Sequence, residues 1–178
     1  MPAYHSKFNE TEGVRSIGGI AVLPIKATAS KGVATLAGED EKDVIDETLE
    51  YFRANMLFTQ FDIEGDADRM LIYMTWFASE CIQKISADKV STKDEGIKVL
   101  HGFANAKFQI PGDANFLPGL GHFFEKPSSK SNADFLKQYL TQCRTECAAR
   151  LTERIFNEDG TPNKWWMAYS KKKFMGSK

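Results

Sequence analysis

The amino-acid sequence predicts an all-α fold: a single domain of about five helices, one of them surrounded by the others, preceded by an extended N-terminal arm. Three observations carry that expectation. Apolar residues recur at helical spacing in two long segments, the stretch Met70 to Ala78 is apolar on every side, and glycine and proline gather in the arm and in one later loop. The length of 178 residues suits one domain, and 42% hydrophobic with 26% charged residues lies near the globular average. The expected division is an arm over 1–38 and a helical domain over 39–178.

The arm holds five glycines, Gly13, Gly18, Gly19, Gly32 and Gly38, and its one apolar run, Ile20 to Ile25, is interrupted by Pro24. Such a run favours an extended segment laid over the domain, because proline cannot donate to a central ladder. From Glu39 the pattern turns helical, with Ile45, Leu49, Phe52 and Met56 on one face and Asp40 as the expected N-cap. Seven acids between Glu39 and Glu50 crowd this first helix at its start, where the helix dipole favours them. Carboxylate pairs there, such as Asp43 with Glu47, read as a solvated acidic face rather than an acid and base couple.

The turn Glu64-Gly65-Asp66 opens a second helix, expected to run to about Ser86. Its middle, MLIYMTWFA, is hydrophobic all round, which calls for neighbours on all sides. Thr92 and Glu95 form a capping box for a third helix reaching about Ala106. Pro111, Gly112, Pro118, Gly119 and Gly121 then break all periodicity. Asn132 is the expected cap of a fourth helix with the stripe Leu136, Leu140, Cys143, Cys147 and Leu151, and Thr161-Pro162 opens a short fifth helix through Trp165, Trp166 and Tyr169.

Composition narrows function. Lys plus Arg is 23 against 24 for Asp plus Glu, a formal charge of -1 that lacks the excess required to neutralise phosphates, so nucleic acid is not expected as a partner. Met70 to Ala78 is too short to span a bilayer, and the polar start MPAYHSKFNETEG lacks a signal peptide's apolar core, so no membrane is expected either. Three cysteines in neither a CxxC pair nor a crowded framework point to a reducing, cytoplasmic setting. Asn9-Glu10-Thr11 fits a glycosylation sequon that has no consequence there.

No phosphate loop, nucleophile elbow or zinc helix is present, and Gly119-Leu120-Gly121 lacks both the third glycine and the βαβ setting of a dinucleotide site. His5, His101 and His122 sit without liganding partners at metal spacing in the sequence, and Cys143 and Cys147 occupy core positions. No cofactor and no catalytic residue is expected. Two features ask for a partner instead. Trp165 and Trp166 project about 100° apart on a helix, so one core cannot easily take both. Five lysines without an acid run from Lys164 to Lys178.

The chain resembles one family over essentially its whole length: subunit 3 of the actin-related protein 2/3 complex. The resemblance is carried by Met-Pro-Ala-Tyr-His-Ser at the start, Ala21 to Ile25, Asp43 to Glu47, Tyr51 to Asn55, Ala67-Asp68-Arg69 and Ser79-Glu80-Cys81. It resumes at Ile110-Pro111-Gly112, Lys126-Pro127, Lys164-Trp165-Trp166 and Lys173-Phe174-Met175. Gly13–Arg15, Thr28–Gly38 and Gly119–His122 depart from the family's wording. The resemblance implies a non-catalytic subunit that docks on an actin-related protein and helps join daughter to mother filament. The implied partners are the other subunits of the complex, chiefly an actin-related protein, and the actin filament of the cytoskeleton. Tyr4, His5, Lys164, Trp165, Trp166, Lys171, Lys172 and Lys173 are the expected partner-binding residues. The alternative is a small helical enzyme or ligand-binding domain with a site near His122.

Overall fold

The computed structural model describes residues 4–176; Met1 to Ala3 of the opening motif, and Lys178 of the lysine run, lie outside the described residues. After a 3-10 turn at Lys7–Glu10, two short strands, β1 (Ser16–Ile17) and β2 (Ile20–Ala21), pair antiparallel. Five α-helices follow: α1 (Val44–Asn55), α2 (Asp66–Ala87), α3 (Lys93–Asn105), α4 (Lys130–Ile155) and α5 (Lys164–Met167). The Gly18-Gly19 turn between the strands has φ of +62° and +79°, the left-handed pair that a two-residue hairpin requires. A Cβ on Gly18 would also lie 2.7 Å from the Glu125 carbonyl oxygen.

The fold is predominantly helical, and α2 is its axis. Met70 to Thr75, Phe77, Ala78, Cys81 and Ile82 are all buried, because α1, α3, α4, strand β2 and the C-terminal turns pack around this one helix. The half-buried Trp76 is the exception within the stretch. Ile17, Ile20, Ala21, Leu23 and Ile25 from the arm enter the same core, beside Leu136, Leu140, Cys143, Cys147 and Leu151 of α4. Gly96 lets α3 close on the C-terminal end of α4, since a Cβ there would meet the Phe156 ring at 2.5 Å.

The helix starts correct the sequence reading at three places. Helix α1 begins later than Glu39, and its cap is Asp43, not Asp40: Asp43 accepts from the amides of Ile45 and Asp46 at 3.1 and 2.9 Å, and Asp46 completes a capping box. Helix α4 is capped by Ser129 rather than Asn132, and α5 by Asn163 rather than Thr161. In each case several capping residues stand close together, and the one whose oxygen reaches the amides two and three residues on wins. Thr92 does cap α3, but the Glu95 carboxylate accepts from Ser91 instead of closing the box on Thr92.

Candidate functional site

Adjacent residues on α5 diverge, and the structure uses the divergence to send its two tryptophans opposite ways. Trp166 turns inward, stacks on Phe52 with centroids 5.6 Å apart, and lies under the Arg53 guanidinium at 4.8 Å. Trp165 turns outward and is 66% exposed, with the Lys164 ammonium beside its ring at 5.0 Å. The chain then continues through a 3-10 turn, Ala168–Lys171, to Phe174, which is buried. Anchored at Trp166 and Phe174, the segment between them presents Lys171, Lys172 and Lys173 to solvent. Among the described residues none of these lysines, nor Lys164, enters an ion pair.

The opening residues pack on α1, the helix that supplies Phe52 and Arg53. Tyr4, 48% exposed, stacks on Tyr51 at 4.9 Å, and its amide and carbonyl both bond the Asn55 side chain. Leu57, just past the end of α1 and one turn beyond Arg53, is exposed. Tyr4 and Trp165, at opposite ends of the sequence, therefore belong to segments fixed by neighbouring residues of one helix. His5 does not join them. Its ring turns to α2, where Nδ1 lies 2.8 Å from an oxygen of fully buried Asp68 and Nε2 lies 3.5 Å from the exposed Glu64.

Asp43 and Glu47, read from the sequence as a solvated face, are buried. They belong to a set of side chains that bind the backbone of the arm. Glu47 accepts from the Ser6 hydroxyl and the Lys7 amide, each at 2.7 Å, and Asp68 accepts from the Ser6 amide at 2.7 Å. Asp43 takes the Lys26 amide, Glu146 takes Ala29 with the Thr28 and Ser30 hydroxyls, and Gln142 takes Ala34. The Tyr139 hydroxyl bonds both the amide and the carbonyl of Leu23. One signal for this set was available: a long arm with little sheet still has to satisfy its amides.

The electrostatics follow from burial. Burial pushes the Glu47 carboxyl above its usual range despite the bonds from Lys7 and Ser6. Burial also opposes the charge of Arg150, but the hydrogen bonds and field of Asp43, with Asp46 and Glu146, outweigh it and raise the pKa. Among the described residues Arg144 has no carboxylate partner. Its guanidinium sits over Phe77 and Phe108 at 4.4 and 4.2 Å and donates to the Phe103 and Ala104 carbonyls, at the negative end of the α3 dipole.

Chemistry of a catalytic kind is not assembled by these contacts. Burial pushes the Cys147 thiol up to about 12 and raises Cys81 and Cys143 as well, so none is a ready nucleophile. A groove of about 540 Å³ beside Lys26, Leu36 and Arg150 has both its cations paired, Lys26 to Asp46 at 2.6 Å and Arg150 to Asp43 at 2.6 Å. His122 is exposed on a 3-10 turn, Gly121–Phe123, while Phe116, Leu117 and Leu120 of the adjoining loop are buried. Among the described residues no helix is long and apolar enough to cross a membrane, and one trio, His5, Glu64 and Asp68, brings potential metal ligands together.

Comparison with known proteins places this architecture. The family model described as P21-Arc, ARP2/3 complex ARPC3 (21 kDa) subunit, matches residues 1–178. A protein of Dictyostelium discoideum named actin-related protein 2/3 complex subunit 3 is 40% identical over 174 residues, covering 97% of each chain. Proteins of the same name from Schizosaccharomyces pombe and Arabidopsis thaliana are 42% and 38% identical, over 98% and 97% of this chain and 98% and 96% of their own.

Proposed function

This chain belongs to the P21-Arc family of ARP2/3 complex ARPC3 subunits, and on that premise we propose that it docks on an actin-related subunit of such a complex and helps join daughter to mother filament. It is not an enzyme; its relatives are named as subunits of an assembly. The observation that carries the docking reading is the C-terminal segment: an outward tryptophan, 66% exposed, in one short segment with Lys164, Lys171, Lys172 and Lys173, anchored by buried Trp166 and Phe174. A large exposed aromatic is the side chain most often found as an interface anchor, and unpaired lysines around it suit an acidic partner face. Tyr4 and Leu57 are further exposed apolar residues on or next to α1, and His5 fixes the segment that carries Tyr4. The cell compartment that follows is the cytoplasmic actin cytoskeleton.

The test is reconstitution of the complex with and without this chain, scored for assembly and branched nucleation. Omission should lower branching; branching at the full rate without it would refute the supporting role. Trp165→Ala leaves an exposed site and should keep the fold while weakening docking by about tenfold or more, the scale of an interface anchor. Reversing Lys171, Lys172 and Lys173 to Glu should slow association more at low salt than at physiological salt, where the screening length is about 8 Å. Unchanged docking in both variants at every salt would place the interface elsewhere.

A further inference from the structure

We infer that His5 and Glu64 form a site for a divalent cation of the zinc class, with buried Asp68 as the carboxylate that orients the histidine, and that the ion fastens the N-terminal segment to α2. The inference does not depend on the docking reading. It starts from how Asp68 is used. Asp68 is fully buried and both its oxygens are occupied: Oδ1 by the Ser6 amide at 2.7 Å, Oδ2 by the Glu64 amide at 3.0 Å and by His5 Nδ1 at 2.8 Å. Oδ2, the oxygen beside the ring, has both acceptor sites taken, so that oxygen acts on an ion through the histidine. By taking the Nδ1 proton it fixes the imidazole tautomer and ring angle and leaves Nε2 as the free ligand atom, the arrangement in which metal-binding histidines are habitually held.

Nε2 faces Glu64 Oε1 at 3.5 Å, on the solvent side of the ring. A nitrogen lone pair and a carboxylate oxygen turned toward one another need a positive charge between them. That charge is a proton or a cation, and a titration with the ion separates the two. A proton-bridged N–H···O contact settles at about 2.7–3.2 Å, shorter than this gap. Two ligands on a tetrahedral zinc, with bonds of about 2.0–2.1 Å, lie about 3.3–3.5 Å apart. The pair is also held from behind: Phe61 meets the His5 ring edge-on at 5.0 Å, and the Glu64 amide is tied to Asp68. Glu64 is exposed, His5 only partly covered, so water completes the coordination. His101 and His122 have no carboxylate placed behind a ring nitrogen among the described contacts, which makes them internal controls.

The experiment is an NMR titration of the full chain with Zn2+ alone, repeated with Mg2+ and with the variant Glu64→Gln, a substitution at an exposed position. The expected result is a saturable one-to-one shift of the His5 ring signals with Zn2+ and none with Mg2+. Affinity should fall by about tenfold or more in Glu64→Gln, since loss of a direct ligand costs at least what outer-shell changes cost. Hydrogen exchange at the Ser6 and Lys7 amides should slow when the ion is bound. His5 signals that Zn2+ does not move, equal affinity in Glu64→Gln, a shift centred on His101 or His122, or exchange at Ser6 and Lys7 that zinc leaves unchanged would each overturn the inference.

Discussion

Replacing Asp43 by alanine tests the central structural argument, because this one carboxylate does three things at once. It caps α1, receives the Lys26 amide at 2.8 Å, and pairs with Arg150 through two bonds of 2.6 and 2.9 Å. Loss of the cap costs about 1 kcal/mol. The orphaned Lys26 amide adds about 1 kcal/mol or more. Removing one partner of a buried ion pair costs about 3–5 kcal/mol when the other is left alone, but Arg150 keeps Asp46 at 3.1 Å and Glu146 at 3.7 Å, so that share shrinks. The sum is about 3 kcal/mol, a large part of a total stability of roughly 5–15 kcal/mol. Urea unfolding reads it directly: at a slope of about 1–3 kcal/mol per molar, the midpoint should fall by about 1–3 M. Asp40→Ala, at the exposed residue that sequence spacing suggests as the cap, should stay within about 0.5 kcal/mol of the parent. Asp43→Ala combined with Arg150→Met should cost less than the sum of the two single changes, since the Asp43–Arg150 bonds are lost only once, although buried Glu146 then loses its cation. A loss below about 1 kcal/mol in Asp43→Ala, or an equal loss in Asp40→Ala, would refute the reasoning.

Leu71→Asp or Ile72→Asp puts an unpaired charge into the most enclosed helix and costs several kcal/mol, so either variant should be insoluble; soluble protein with unchanged thermal unfolding would contradict the surrounded position of α2. Glu47 has a folded-state pKa raised above 4.5 by burial, so the folded chain holds that proton more tightly than the unfolded chain. Its contribution to stability is therefore fully present below about 4.5 and declines as pH rises through the raised value. Glu47→Gln, which keeps an acceptor oxygen for the Lys7 amide and turns its NH2 to the Ser6 hydroxyl, should remove that downward slope when unfolding free energy is compared across acid pH; parallel curves would count against it. All three thiols, Cys81, Cys143 and Cys147, should resist a disulfide reagent in the native chain and react together on unfolding, and fast native labelling of any one would mean its burial is misread.

The helical body was legible because its signals are local and redundant. Ile45, Leu49, Phe52 and Met56, and the stripe from Leu136 to Leu151, lie where the 3.6-residue period puts them, and an all-round apolar α2 has no stable place except among neighbours. Caps were less legible. Asp40 and Asp43, Asn132 and Ser129, or Thr161 and Asn163 are chemically interchangeable as caps, and only the path of the preceding chain selects between them. The pair Trp165 and Trp166 was read as a conflict for one core, and the structure resolves it by exposing one ring and burying the other.

The polar anchors were not legible, because periodicity treats every charge as a mark of solvent. In this chain that inference inverts at Asp43, Glu47, Asp68 and Glu146, each buried although each lies on a helix with an ordinary wet face elsewhere. The reason is the arm. A segment without regular structure brings unpaired amides to the helices, and burying them unbonded would cost about 1–3 kcal/mol each. Each of these carboxylates satisfies one amide of the arm together with neighbouring hydroxyls or further amides, which an apolar side chain cannot do, and it fixes the register of the arm as it does so. Apolar residues of the arm then fall into the core at Ile17, Ile20, Leu23 and Ile25, between the anchor points at Ser6, Lys26 and Ala29. The same logic sets the candidate surface: Asn55 holds Tyr4 and Phe52 holds Trp166, so α1 determines where both ends of the chain present their exposed rings. Substitutions that loosen α1 from within, Asp43→Ala among them, should therefore disturb docking at Trp165 without touching it, whereas Trp165→Ala should disturb docking and leave the urea midpoint where it was.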